Sequence, residues 1–81
     1  MTKQFVLIVT EAGKEAEVLR KLKTIPQVKE AELVYGDVDI IAKIEEEGGT
    51  KQLEAAILEI RKIEGLSKTK SYSIRKKQQE S

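Results

Sequence analysis

The chain has 81 residues and a mass of 9.1 kDa, which is one small domain. It carries no cysteine and no histidine, which excludes a disulfide framework, a thiolate nucleophile, a zinc–thiolate or iron–sulfur centre and an imidazole base. A net charge of +1 exerts no global attraction on nucleic acid or anionic lipid.

Charged residues make up 36% against 40% apolar, and 12 Lys with 12 Glu account for most of them. This is the thermophile-like composition of proteins that work hot. The longest apolar run, Phe5-Val6-Leu7-Ile8-Val9, falls well short of the roughly 18 residues of a membrane span. No small-residue cleavage site follows it. A cytoplasmic domain without cofactor or metal is expected.

Residues 4–10 are β-branched and aromatic and predict a strand. From Lys14 to Thr24, Ala16, Leu19, Leu22 and then Ile25 recur every three or four positions as one apolar helix face. Glu17 and Lys21 form a favourable i,i+4 pair on it, and Pro26 stops it. Val28 to Tyr35 alternates, with Ala31, Leu33 and Tyr35 opposite Glu30 and Glu32. Gly36-Asp37 suits a tight II′-type hairpin turn. Val38 to Glu45 is a third strand, with Val38, Ile40, Ala42 and Ile44 on one face.

After a loop at Glu46–Gly49, Thr50 is placed to cap a second helix that buries Leu53, Ala56, Ile57, Ile60 and Ile63. Gly65 is expected to end that helix as a left-handed cap. Leu66 to Ile74 is the last strand. Residues 1–75 thus form the domain, and 76–81 a polar basic tail.

Leu19, Leu22, Ile25 and Val28 match Ile57, Ile60, Ile63 and Leu66 at a constant offset of 38. Two βαβ units joined by a hairpin give an α+β, ferredoxin-like βαββαβ sandwich. Its four-stranded antiparallel sheet carries both helices on one face, with strands one and three central.

A sheet covered on one side needs apolar residues only at alternate positions. Here the first strand has five in succession, and Ile41 joins them on the helix-free face. An exposed apolar patch on so short a chain calls for a cover, and a second copy related by two-fold symmetry is the simplest one.

The only two aspartates stand together in Tyr35-Gly36-Asp37-Val38-Asp39. Asp37 suits a turn. Asp39 falls where a central strand is expected, a place in which Asp is depleted, and alternation puts it on the helix-free face with Ile41. Its carboxylate needs either protein donors or a ligand ammonium. Thr69, Ser71 and Ser73 form a row of hydroxyls, either a solvated strand face or donors to a ligand carboxylate. Tyr35 is suited to close over a small ligand or to pack at an interface.

Val28-x5-Val34-x-Gly36-x2-Asp39, the second amphipathic helix and Gly65-Leu66-x2-Thr69-x-Ser71 together resemble the effector domain of the Lrp/AsnC transcriptional regulators, also called the RAM domain. The resemblance runs from Phe5 to about Arg75. The helix-turn-helix that precedes this domain in those regulators has no counterpart here, so the chain looks like a stand-alone effector domain of that family.

The resemblance implies dimers formed through the sheets, often four dimers in an octameric ring. It also implies small effectors, usually amino acids, bound between dimers near the glycine–aspartate hairpin. Carried over by residue, it points to Gly36, Asp39, Thr69 and Ser71 as ligand-binding, with Tyr35 and Asp37 as their neighbours. Val38 stands where the family commonly has an aromatic residue.

The expected function is a non-enzymatic module that oligomerises through its sheet and binds an amino acid at subunit interfaces to modulate transcription. Its partners would be itself, the amino acid and a full-length Lrp/AsnC-type regulator, without direct contact to nucleic acid or membrane. The alternative is a pure assembly module that binds no ligand. Catalysis of the acylphosphatase type is excluded because it needs an Arg–Asn pair and the chain has no asparagine.

Overall fold

A computed structural model describes residues 2–73. Six elements follow in order: β1 (Thr2–Thr10), α1 (Glu15–Leu22), β2 (Val28–Leu33), β3 (Ile40–Glu46), α2 (Thr50–Arg61) and β4 (Leu66–Ser73). The strands pair antiparallel in the order β2-β3-β1-β4. This is the ferredoxin-like α+β sandwich, with the first and third strands central as the pattern predicts. Among the described residues no helix is long and apolar enough to cross a membrane.

Strand alternation sorts the side chains between the two faces. Val6 and Ile8 of β1 are fully buried beside Ala42 and Ile40 of β3, their partners in register. Ile44 and Ala31 extend this surface along the two strands, and α1 and α2 cover it with Val18, Leu22, Leu53, Ala56 and Ile60. Each large aliphatic side chain so buried contributes about 1.5–3 kcal/mol relative to exposure. Phe5 and Leu7 point the other way, toward the face that no helix covers.

The internal repeat is physical as well as textual. Leu22 and Ile60 are both fully buried, while the pairs Leu19/Ile57, Ile25/Ile63 and Val28/Leu66 all pack around the core margin. The turns that leave the two helices share their hydrogen bonds. Ile25 N–H donates to Leu22 O at 3.1 Å and Ile63 N–H to Ile60 O at 3.0 Å. Val28 and Leu66 then donate to the carbonyls of Ile25 and Ile63 at 3.0 and 3.4 Å.

Several local expectations are corrected. Helix α1 buries Val18 and leaves Ala16 exposed. These two residues lie about 200° apart around a helix of 3.6 residues per turn, so a face centred on Val18 and Leu22 turns Ala16 outward. The expected ion pair is present, with Lys21 Nζ 3.6 Å from Glu17. Strand β2 ends at Leu33, which is half exposed, and Tyr35 is fully exposed. Between β2 and β3 runs a six-residue loop in place of a two-residue turn, closed by Val34 N–H donating to Asp39 O at 2.9 Å.

Thr50 makes no side-chain cap; Gly49 precedes the helix. Helix α2 stops at Arg61, and Gly65 lies beyond it, in the turn before β4, at φ +96°. A side chain there would meet Lys14 Cβ at 3.1 Å and Val18 Cγ2 at 3.3 Å. Glycine is therefore required both by its dihedral and by the close approach of α1. Ile74 and the tail lie outside the described residues.

Candidate functional site

The loop between β2 and β3 carries four of the six candidate residues, and one of them fastens it. Asp39 precedes β3 and donates its N–H to Ile8 O at 2.8 Å. Its Oδ2 accepts the backbone N–H of Thr10 at 2.8 Å and the Thr10 hydroxyl at 3.2 Å. The pairing of β1 with β3 ends at Ile8↔Ile40, and the register with β4 shifts between Val9 and Thr10. The Thr10 N–H thus lies where the β1–β3 ladder has run out, and Thr10 is buried. The Asp39 carboxylate supplies the missing acceptor. The Asp39 carboxylate is therefore engaged by Thr10.

With Asp39 as the anchor, Tyr35, Gly36 and Asp37 project from the end of the sheet. All three are exposed. Gly36 has φ +140°, and a Cβ there would touch nothing. Its dihedral, not crowding, makes glycine the favoured residue. Asp37 and Val38 border a depression floored by Leu7 and Val9, with Lys68 and Lys70 on the far side. One carboxylate, two ammonium groups and an apolar floor therefore converge at this end of the helix-free face. The depression fits a small molecule carrying both charges and an apolar part.

The two β4 candidates share one face of the sheet. Thr69 pairs in register with Ile8, whose side chain faces the helices, and is half-buried at a strand position beside the same depression. Ser71 pairs with Val6, whose side chain faces the helices. It borders a separate groove with Gln4 and the α2 residues Glu54, Ile57 and Arg61. The structure brings Tyr35, Gly36, Asp37, Asp39 and Thr69 to one end of the sheet, but the Thr69 and Ser71 side chains both belong to the helix side. Sequence reasoning missed Thr10 as the Asp39 partner. Nor did it single out Lys68 and Lys70, although their spacing of two on one strand face is visible in the sequence.

The helix-free face continues away from this site. Phe5 and Tyr72 are partners across β1 and β4 and are 39% and 49% exposed. At the opposite end of the sheet, Glu46 Oε2 accepts the Gly48 N–H at 2.9 Å. That bond, with help from the Gln27 side chain and the Lys29 charge, holds its carboxyl below the ordinary 4.5.

Residues 3–79 match the family model of the Lrp/AsnC ligand binding domain. The chain is 43% identical to FFRP-DM1, with a TM-score of 0.86, over 93% of this chain and 100% of that one. To hypothetical protein PHS023 from Pyrococcus horikoshii it is 42% identical, with a TM-score of 0.86, over 95% and 93% of the two chains. AsnC of E. coli shares the fold at 20% identity and a TM-score of 0.85, over 94% of this chain and 52% of AsnC. No curated protein matches significantly.

Fold and family model together define a ligand-binding domain of the transcription-regulator type, with a regulatory effector-binding role and no place in an enzyme family. The chain belongs to the Lrp/AsnC family.

Proposed function

We propose that this domain binds an amino acid at the end of the sheet where the loop between β2 and β3 meets β4, and that its copies associate through the helix-free face so that the bound effector shifts their assembly. The reading is carried by the opposition of Asp37 to Lys68 and Lys70 across an apolar floor of Leu7 and Val9. A zwitterion matches that array: the α-ammonium pairs with Asp37 and the α-carboxylate with Lys68 and the backbone N–H groups near Gly36. Tyr35, fully exposed at the loop tip, closes over the ligand or meets a neighbouring copy. Asp39 holds the loop in place.

Effector binding alters assembly only if the two assembly states bind the effector differently. A site bordered by the association face meets that condition. As a subunit that mixes with a full-length Lrp/AsnC-type regulator, the domain would modulate transcription through that partner.

The test is a thermal-shift panel of the twenty amino acids at millimolar concentration, with the mass of any hit followed by light scattering. A ligand that binds the folded state preferentially raises the melting temperature. A flat panel with a stable oligomer would overturn effector binding and leave the assembly module. That second reading is favoured by one observation of its own: the Asp39 carboxylate already has two donors in Thr10, so part of the motif has a structural task without any ligand.

A further inference from the structure

Among the described residues, β2 and β4 pair on one side only and form the two edges of the sheet. Two hydrogen bonds fix which backbone groups those edges present. Val34 N–H donates to Asp39 O, in line with the register Leu33↔Ile40. In an antiparallel ladder, residues that bond to a neighbouring strand alternate with residues that point away from it. Glu30 and Glu32 therefore bond to β3, while Ala31 and Leu33 turn their N–H and C=O groups outward. Ile8 O accepts from Asp39 on the β3 side, so Leu7 and Val9 face β4 and engage their register partners Lys70 and Lys68. Thr69 and Ser71 then point outward from β4.

Charge is sorted between the same two edges. On the helix-free side β2 carries Glu30 and Glu32, and β4 carries Lys68 and Lys70. Among the described residues Glu32, Lys68 and Lys70 have no ion-pair partner within 4.0 Å. Charged side chains on an edge strand oppose unwanted pairing, and here each edge opposes its own kind. Pairing β2 with β2 about Ala31 sets Glu30 on Glu32. Pairing β4 with β4 along its length sets lysine on lysine. Like charges directly opposite each other are destabilising.

The order and pairing of the strands make β2 and β4 antiparallel. A second copy set beside the first, with its helices on the same side, therefore presents its β4 antiparallel to β2. We infer that copies join edge to edge in this way, β2 of one against β4 of the next, with Ala31 opposite the partner's Thr69. Ala31 and the partner's Thr69 exchange their outward N–H and C=O groups. Glu32 then lies opposite the partner's Lys68, and Glu30 opposite the partner's Lys70. Backbone parity and charge thus select the same register. Both acid–base pairs fall at non-hydrogen-bonded positions, where side chains approach most closely. The Lys68 ammonium has three donors and serves this edge as well as the depression. The contact is head to tail, so the sheet extends until a ring closes, or continues as a filament. It uses neither face of the sheet and is independent of the sheet-face association proposed above.

Ala31 and Thr69 of one chain stand three strand spacings apart, about 14 Å, beyond the reach of a disulfide. Paired between copies, their Cα atoms lie about 5.5 Å apart, within that reach. The chain has no cysteine, so A31C/T69C carries the only two thiols. Mild oxidation should give a ladder of linked chains on a non-reducing denaturing gel. A31C alone and T69C alone should give none, and a mixture of the two single variants should stop at the dimer. Adding E32K should cut the linked fraction about tenfold, and E32K/K68E should restore it. In the cysteine-free chain, sedimentation velocity at low salt should show species larger than a dimer that E32K removes and E32K/K68E recovers.

Linkage by A31C alone or by T69C alone overturns the pairing of unlike edges. An unlinked A31C/T69C, together with a cysteine-free chain indifferent to E32K, overturns edge pairing altogether. Where the reduced double variant loses its circular-dichroism spectrum, the sedimentation series decides alone. Ala31 and Thr69 lie on the helix side, out of reach of a copy docked on the opposite face, so failure of this pairing leaves the sheet-face association standing.

Discussion

Asp39 closes the end of the central strand β1 by accepting both the N–H and the hydroxyl of Thr10, at 2.8 and 3.2 Å, across 29 residues of sequence. The contact ties the loop to the point where backbone pairing fails, so a polar residue in a strand context becomes a fastening. Removing the carboxylate leaves the buried Thr10 N–H without an acceptor, a loss of about 1–3 kcal/mol. Asp39→Ala should therefore lower the unfolding free energy from urea denaturation clearly, and Thr10→Val, which keeps the N–H bond, by less, about 0.5–1.5 kcal/mol. Equal losses in the two variants would show that the N–H bond is not the dominant contact.

The effector reading makes a separable demand on Asp37. It lies on the exposed loop beside Lys68 and Lys70 and supports no core packing. Asp37→Asn and Lys68→Ala should leave the unfolding free energy of the free protein within about 0.5 kcal/mol of wild type. Each should weaken the affinity for any amino acid found in the thermal-shift panel about tenfold or more, the scale of one charge-assisted contact. Titration calorimetry of both variants checks this, and undiminished affinity in Asp37→Asn would remove that residue from the site.

The repeat predicts matched energetics in the two halves. Leu22 and Ile60 hold equivalent places and are both fully buried. Leu22→Ala and Ile60→Ala should each cost about 2–5 kcal/mol, the range for large aliphatic truncations in a core. Against a total of about 5–15 kcal/mol for a small domain, either variant should be visibly destabilised in an equilibrium denaturation curve. Ala16→Ser, on the exposed side of α1, should be nearly neutral in the same assay.

Acid should weaken the fold in part through Glu46. Its carboxyl is held below the ordinary 4.5, chiefly by the Gly48 N–H, so the folded state binds that proton less readily than the unfolded chain. The resulting stability is fully present above the ordinary value and is lost as pH falls through the lowered one. A pH series of melting temperatures should therefore slope downward below about 4.5, the ordinary value. Glu46→Gln should flatten part of that slope. An unchanged slope in the variant would assign the acid sensitivity to other carboxylates.

The element order and the fold were legible because period alone separates strands from helices, and because Leu22 and Ile60, with their flanking partners, repeat at one offset. The errors fell where period is silent. Ala16 and Leu19 fit a three-residue spacing as well as Val18 and Leu22 fit a four-residue one, and only the position of the sheet decides which stripe is buried. The pair Gly36-Asp37 suits a two-residue turn, yet Asp39 is recruited by Thr10 before β3 begins, which opens the loop to six residues. The site was half legible: the glycine–aspartate loop stands out in composition, but the row Thr69, Ser71 and Ser73 does not reveal which sheet face its hydroxyls occupy.

By itself the amino-acid sequence determined that this is a βαββαβ domain, that its first strand is apolar on both sides, and that cysteine and histidine chemistry are absent. Those properties follow from local spacing and from residue types, which every conformation of the chain carries. Tertiary structure alone decided that Asp39 binds Thr10, that Asp37 lines one depression with Lys68 and Lys70, and that Ser71 lies on the opposite face of the sheet from those lysines. Each depends on which strands become neighbours and in what register, and a shift of one residue exchanges the two faces.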